Sequence, residues 1–128
     1  MRLLLDTHVA LWAVSGDNRL PPSARRLLTK EASQVFVSAV SLWEIAIKHS
    51  LGRGDMPVSA EVAAAELADA GFEELSVTWA HTQHLGALPA LHRDPFDRLL
   101  VAQALAEPLI LVTHDAAVAA YSASFLRI

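Results

Sequence analysis

The sequence predicts an α/β fold, a three-layer α/β/α sandwich around a mainly parallel central sheet. Three observations lead there. Leu3-Leu4-Leu5 and Leu109-Ile110-Leu111-Val112 are short continuous apolar runs bounded by turn-like residues, which mark strands buried on both faces, as in a parallel sheet. Strand-like runs alternate with helical segments along the chain, the order expected of an α/β fold. Each of the two runs also leads into an acid, Asp6 or Asp115. Ligand sites in parallel sheets lie just past the carboxyl ends of strands, so an acid there on two strands points to a shared pocket for a cation or a phosphate-bearing substrate.

The elements follow in order. Arg2 to Leu5 is the first strand, and a helix runs from about Thr7 to Val14 before the loop Ser15-Gly16-Asp17-Asn18. Pro21-Pro22-Ser23 opens a second helix through about Glu31, and Val35-Phe36-Val37 is a short strand. Ser38 or Ser41 starts a third helix, Leu42 to about Ser50, closed by Gly52 and followed by the turn Gly52-Arg53-Gly54-Asp55. Ser59 caps an Ala-rich helix that runs to about Ala70 and ends at Gly71; Glu74 to Val77 reads as a strand. Thr78 caps another helix. Asp94-Pro95 begins the helix that ends near Ala106, where Pro108 breaks it; strand Leu109 to Thr113, a short helix from Ala116 to Tyr121 and an edge strand from Phe125 to Ile128 complete the chain.

Composition narrows the function. The 128 residues predict a single domain, 1–128, that buries roughly two thirds of its unfolded surface. Although 53% of residues are hydrophobic, no apolar stretch reaches the roughly 20 residues needed to span a bilayer, and Met1-Arg2 leads directly into a strand. The expectation is a cytoplasmic protein without membrane contact. With no cysteine, disulfides, thiolate catalysis and Cys-type zinc sites are excluded together. The net charge of −4 comes from 14 acids and 10 bases and at first argues against a polyanionic partner. If four carboxylates hold two divalent cations, however, the other ten acids balance the ten Lys and Arg, so charge neither demands nor excludes nucleic acid.

Each candidate acid has a structural reading beside the functional one. Asp6, before Thr7-His8-Val9, is a site residue or a helix N-cap. Glu44 belongs to Ser41-Leu42-Trp43-Glu44-Ile45-Ala46-Ile47-Lys48, where Ser-x-x-Glu matches a capping box. The same segment is apolar on most sides, which predicts a largely buried helix, and a buried carboxylate needs a partner charge or a metal to offset its desolvation. In His92-Arg93-Asp94-Pro95-Phe96-Asp97-Arg98, Asp94 is accounted for as N-cap with Pro95 at the first helical position. Asp97 either favours the positive end of the helix dipole or sits ready at a helix start. Asp115 is again a cap or a site residue.

The order of four motifs resembles a known family. Leu5-Asp6-Thr7-His8, Ser41 to Lys48, Asp94-Pro95-Phe96-Asp97-Arg98-Leu99-Leu100-Val101-Ala102-Gln103-Ala104 and Val112-Thr113-His114-Asp115 look like the PIN-domain ribonucleases, specifically the VapC-like toxins of type II toxin–antitoxin pairs. The resemblance covers nearly the whole chain, and while each motif alone is weak, all four in order are specific. It implies a PIN-domain α/β/α sandwich whose acids, clustered at the strand ends, bind Mg²⁺ or Mn²⁺. Carried over residue by residue, the catalytic and metal-binding acids are Asp6, Glu44, Asp97 and Asp115. Asp97 fits the family position because it begins the Asp-x-Leu-Leu-x-Ala-x-Ala helix, and Asp94 becomes an outer-shell group.

Mg²⁺ is hard, prefers oxygen ligands and keeps several waters, so it suits a carboxylate pocket. Without it, crowded carboxylates repel one another and their pKa values should rise. Two cations about 3.5–4 Å apart can activate a water and stabilise the leaving oxygen of a phosphodiester displacement, and the resemblance implies RNA hydrolysis leaving a 5′-phosphate and a 3′-hydroxyl. Thr7 and Thr113 are supporting candidates for holding a carboxylate or a bound water, with turn bonding as the alternative. Lys48, one turn after Glu44, and Arg98, with Arg93 and Arg53 behind them, are candidates for phosphate contact. His8 and His114 neighbour cluster acids and are read as structural or outer-shell groups; His49, His81, His84 and His92 are read as surface or loop residues. Trp12, Trp43 and Trp79 are read as packing residues. The resemblance further implies a small antitoxin covering an apolar surface beside the site, in a homodimer or a toxin–antitoxin hetero-oligomer. Two other classes stand as alternatives. One is a catalytically silent PIN-like binding module. The other is a haloacid-dehalogenase-type phosphatase, which wants a second Asp where this chain has His8.

Overall fold

A computed structural model describes residues 1–128. Five strands form one sheet in the order β3-β2-β1-β4-β5, and all four pairings are parallel. The elements are β1 (Arg2–Leu5), α1 (Thr7–Ser15), α2 (Pro22–Thr29), β2 (Gln34–Ser38), α3 (Ala39–Ser50), α4 (Ala60–Asp69), β3 (Glu73–Leu75), α5 (Trp79–Leu85), α6 (Pro95–Ala106), β4 (Ile110–Thr113), α7 (Ala116–Ala119) and β5 (Leu126–Arg127).

Central strand β1 shows why the architecture has three layers. Its side chains alternate between faces. Leu3 and Leu5 join Val35, Val37 and Val112 under Val9, Trp12, Ala24, Leu28 and Leu67, so α1, α2 and α4 cover that face. Leu4 joins Phe36 and Leu111 under Leu100, Val101, Ala104 and Val118, so α6 and α7 cover the other. Continuous apolar strands are therefore required, since no strand position of β1 beyond Arg2 sees solvent. A smaller cluster of Leu11, Ile45, Met56 and Ala63 ties α1, α3 and α4 together.

Several boundaries differ from the sequence reading. The second helix stops at Thr29, because Lys30 takes an extended conformation. Helix α3 begins at Ala39, capped by the Ser38 hydroxyl accepting from the Val40 N–H, so Ser41 and Glu44 do not form a capping box. Nor is α3 largely buried: Glu44 is 3% exposed, but Trp43 is 54% exposed and Ile47 also faces outward. Strand β3 starts one residue earlier and ends two earlier than expected, the helix after Asp115 ends at Ala119, and β5 shortens to two residues. Gly71 ends α4 as expected, at φ +84°, a conformation costly for any residue with a Cβ. No helix is long and apolar enough to cross a membrane.

In this strand order the chain builds outward from β1 in both directions, to β2 and β3 on one side and β4 and β5 on the other. The loops leaving β1 and β4 diverge at such a reversal and open a crevice at the carboxyl ends of the strands.

Candidate carboxylate site

The crevice is a cavity of about 550 Å³ lined by Asp6, His8, Trp12, Arg19, Glu44, Lys48, His92, Asp94, Asp97, His114 and Asp115. Only Trp12 among these is apolar. The structure thus brings Asp6, Glu44, Asp94, Asp97 and Asp115 into one pocket, five carboxylates against the two full cations Lys48 and Arg19.

Asp6 follows β1 directly and is locked from three sides. Its backbone N–H donates to Val112 O at 2.9 Å, Oδ1 accepts from the His8 N–H at 3.1 Å, and Oδ2 accepts from Thr113 Oγ1 at 2.8 Å. The Thr113 hydroxyl also accepts the Asp115 N–H at 3.0 Å, so one side chain at the end of β4 sets the spacing of two acids. Glu44 is held on both oxygens, by the Thr7 hydroxyl at 2.7 Å and by the Lys48 ammonium one turn on. Thr7 Oγ1 also lies 2.9 Å from Ser41 Oγ. Lys48 is itself mostly covered and sits 5.7 Å from the centre of the Phe96 ring.

The other wall is formed by the start of α6 and the end of β4. Asp94 caps α6, its Oδ1 accepting from the N–H groups of Phe96 and Asp97 at 2.8 and 3.1 Å. Asp97 points into the cavity. Asp115 caps α7 through Oδ1, which accepts from the Ala117 N–H at 2.8 Å. Between them stands His92, its Nε2 3.2 Å from Asp97 Oδ2 and 3.0 Å from Asp115 Oδ2. His92, Asp97 and Asp115 form the one trio of possible metal ligands whose atoms all lie within 4.8 Å of one another. Asp6 and Glu44 line the same cavity without joining such a trio.

The electrostatics follow from this crowding. Burial pushes the Asp97 carboxyl up to about 7, and the charges of Asp6, Asp94 and Glu44 add to the effect. Burial also raises Asp6, against the pull of its Thr113 and His8 hydrogen bonds. Asp115 departs from the expected rise: burial opposes its charge, but donation from His92 and from the Ala117 N–H prevails and lowers its pKa. An all-oxygen donor set with surplus negative charge suits a hard divalent cation.

The remaining sequence candidates take other places. The Arg98 guanidinium is spent on Pro89 O, His92 O and the Tyr121 hydroxyl, bracing the loop before α6. Arg53 pairs with Asp55, which also lies 3.3 Å from His8 Nε2. His114 stacks edge-on against Trp12 at 5.3 Å, and its Nδ1 lies 3.1 Å from Ile128 O. Of the histidines read as surface or loop residues, His81 is neither, and His92 lies on a loop but turns its ring into the site. His81 is 1% exposed and bonds Glu107, and His92 stands inside the cavity. Arg19 was not among the sequence candidates; it lies across Trp12 at 5.1 Å, paired with Asp17. The sequence carried one signal for His92: a polar side chain two residues before a helix cap can accept that residue's backbone N–H, as its Nδ1 does from Asp94 at 3.0 Å.

The PIN domain family profile matches residues 3–123. No curated protein sequence matches significantly. Among solved structures, VapBC2 from Rickettsia felis, bound to a DNA fragment from its promoter, superposes with TM-score 0.71 at 19% identity, covering 100% of this chain and 98% of that one. DNA-bound VapBC from Salmonella typhimurium gives 0.69 at 18% identity, covering 100% and 97%. VapBC-1 from nontypeable Haemophilus influenzae gives 0.66 at 19% identity, again covering 100% and 97%. These likenesses are of fold.

Proposed function

Because the chain belongs to the PIN domain family, we propose that it is a divalent-cation-dependent endoribonuclease, the VapC-like toxin of a toxin–antitoxin pair. The observation that carries the nuclease reading is the pocket of five carboxylates and two cations at the strand ends, with one carboxyl driven up to about 7. A phosphodiester cannot approach that much negative charge unless a cation neutralises it.

Asp6, Glu44, Asp97 and Asp115 are the residues that would hold Mg²⁺ or Mn²⁺. When bound, such a cation supplies the charge that lowers the pKa of an attacking water and stabilises the leaving oxygen. The chain's own residues do the positioning. Thr113 and the His8 N–H fix Asp6, and Thr7 and Lys48 fix Glu44, so two carboxylates are oriented before any substrate arrives. Asp97 accepts no hydrogen bond at Oδ1 from the protein and keeps that oxygen available. Arg19, 66% exposed at the cavity rim, offers a positive group to an incoming phosphate.

The partner reading rests on exposed apolar side chains and on the VapBC assemblies that share the fold. Trp43 and Ile47 stand one turn apart on the outer face of α3, with exposed Leu51 just past its end, and Trp79 is 85% exposed at the start of α5. Large exposed apolar groups of this kind mark protein contacts. A small antitoxin covering them, in a hetero-oligomer with one toxin or a toxin homodimer, accounts for their exposure.

The test is cleavage of a labelled RNA pool by the purified protein with Mg²⁺, Mn²⁺ or EDTA, beside Asp6→Asn and Asp97→Asn. Metal-dependent cutting lost in both variants is the expected result. Wild-type protein that binds cation and RNA yet cuts nothing under any condition overturns the nuclease reading.

A further inference from the structure

We propose that His92 is a built-in competitor of the cation: its ring N–H holds the place between Asp97 and Asp115, and cation binding at these carboxylates must displace it. The inference rests on the reading of the cavity as a cation site.

The argument turns on which ring nitrogen carries the proton. Nδ1 lies 3.0 Å from the backbone nitrogen of Asp94, which has only a proton to offer, so Nδ1 must be the bare nitrogen. The single proton of the neutral ring then sits on Nε2, 3.0 Å from Asp115 Oδ2 and 3.2 Å from Asp97 Oδ2. A metal ligand needs a nitrogen lone pair, and in this tautomer Nε2 has none to give. So although His92, Asp97 and Asp115 lie close enough together to suggest a three-ligand site, the ring is the rival of a cation there.

The competition is direct at Asp115. Its Oδ1 is committed to the N–H of Ala117, which leaves Oδ2 as the oxygen for a cation, and Oδ2 is the one His92 takes. The pose of the ring is also built. The His92 backbone N–H donates to the Tyr121 hydroxyl at 3.0 Å, and Arg98 Nη1 donates to the same hydroxyl at 3.1 Å and reaches His92 O at 3.4 Å. Two side chains and a helix cap thus aim one N–H at Asp115, with Asp97 3.2 Å away.

The experiment is Mn²⁺ binding by the full chain, followed by electron paramagnetic resonance of free Mn²⁺, for wild type, His92→Ala and His92→Gln. His92→Ala should bind about three- to tenfold more tightly, the scale of the net contribution of an ordinary hydrogen bond. His92→Gln, whose amide nitrogen reaches about as far as Nε2, should stay near wild type. His92→Phe keeps the ring volume without the N–H and should also tighten binding, which guards against a packing defect in the alanine variant. Binding that is unchanged or weaker in both His92→Ala and His92→Phe makes His92 a bystander, a ligand or a positioning group, and sinks the inference while leaving the cation site standing. Failure of wild type and variants alike to bind Mn²⁺ removes the site and the inference together.

Discussion

Two buried polar networks in this molecule use the same residue types to opposite ends. One is the strand-end cavity. The other clamps α5 to α6: His81 Nδ1 accepts from the Thr78 N–H at 3.0 Å, its Nε2 meets Glu107, and Gln103 joins Ser38, Ser76 O and His81. In the clamp a single carboxylate faces a ring N–H, and the buried polar atoms of His81 and Gln103 are partnered. In the cavity five carboxylates share two cations, and the one ring N–H that meets them, from His92, does not balance the surplus. Satisfied polar burial contributes stability, whereas surplus like charge costs stability and is tolerated where it serves binding. The two regions should therefore respond oppositely to mutation.

The largest effect expected is on catalysis. Asp97→Asn should cut RNA cleavage by about 10³-fold or more, about 4 kcal/mol of transition-state stabilisation, measured as kcat/KM on a labelled RNA. Retained activity would place the essential carboxylates elsewhere in the cavity. Next comes the clamp. His81→Ala should lose about 2–4 kcal/mol of folding stability in urea, because Glu107 and the Thr78 N–H are left without their partner, with Mn²⁺ affinity changed less than about twofold. A large drop in affinity there would show that the two networks are coupled.

Thr113→Val separates geometry from charge, since it leaves every carboxylate in place. Cation affinity should fall about tenfold, the usual cost of losing a group that orients a ligand, in a calorimetric titration. The smallest effect concerns pH. In EDTA the folded chain holds a proton on Asp97 up to about pH 7, while the unfolded chain releases it near the ordinary carboxyl value of 3.8. Below the lower value both states are protonated and the preference for the folded state is complete; between the two the folded state binds more protons, so stability falls as pH rises and is lost through pH 7. Asp97→Asn should flatten that slope and be more stable than wild type at pH 8 by about 1–2 kcal/mol, discounted for partial exposure. A variant less stable than wild type at pH 8 would mean that the carboxylate makes a favourable contact that outweighs the repulsion.

Strands were legible wherever burial on both faces forced a continuous apolar run, as in Leu3 to Leu5 and Leu109 to Val112. Strand β3 was read one residue late at its start and two at its end because Glu-Glu-Leu has no such run, and its position is set by pairing with Phe36, Val37 and Ser38. The sequence does not decide between Ser38 and Ser41 as the start of α3, because Ser38 both ends β2 and caps the helix, two roles that one local pattern does not separate; Ser38 is the cap realised. For Asp6, Asp94 and Asp115 the cap and cavity readings turn out to be compatible: each caps a helix with one oxygen and lines the pocket as well. The histidines were the illegible part. His81 and His92 are defined by Glu107 and Asp115, 26 and 23 residues away, and no periodicity encodes such pairs.

Strand β1 reaches β2 through the crossover helices α1 and α2, but the bond from Thr113 to Asp6 closes a span of 107 residues. During synthesis, Asp6 and Glu44 emerge from the ribosome long before Asp97 and Asp115, so a nascent chain carries half a carboxylate pocket and no β4 to set its geometry. Long-range closures of this kind come late in folding. A pocket closed by so long a span takes its final geometry only once β4 has been made and has docked beside β1.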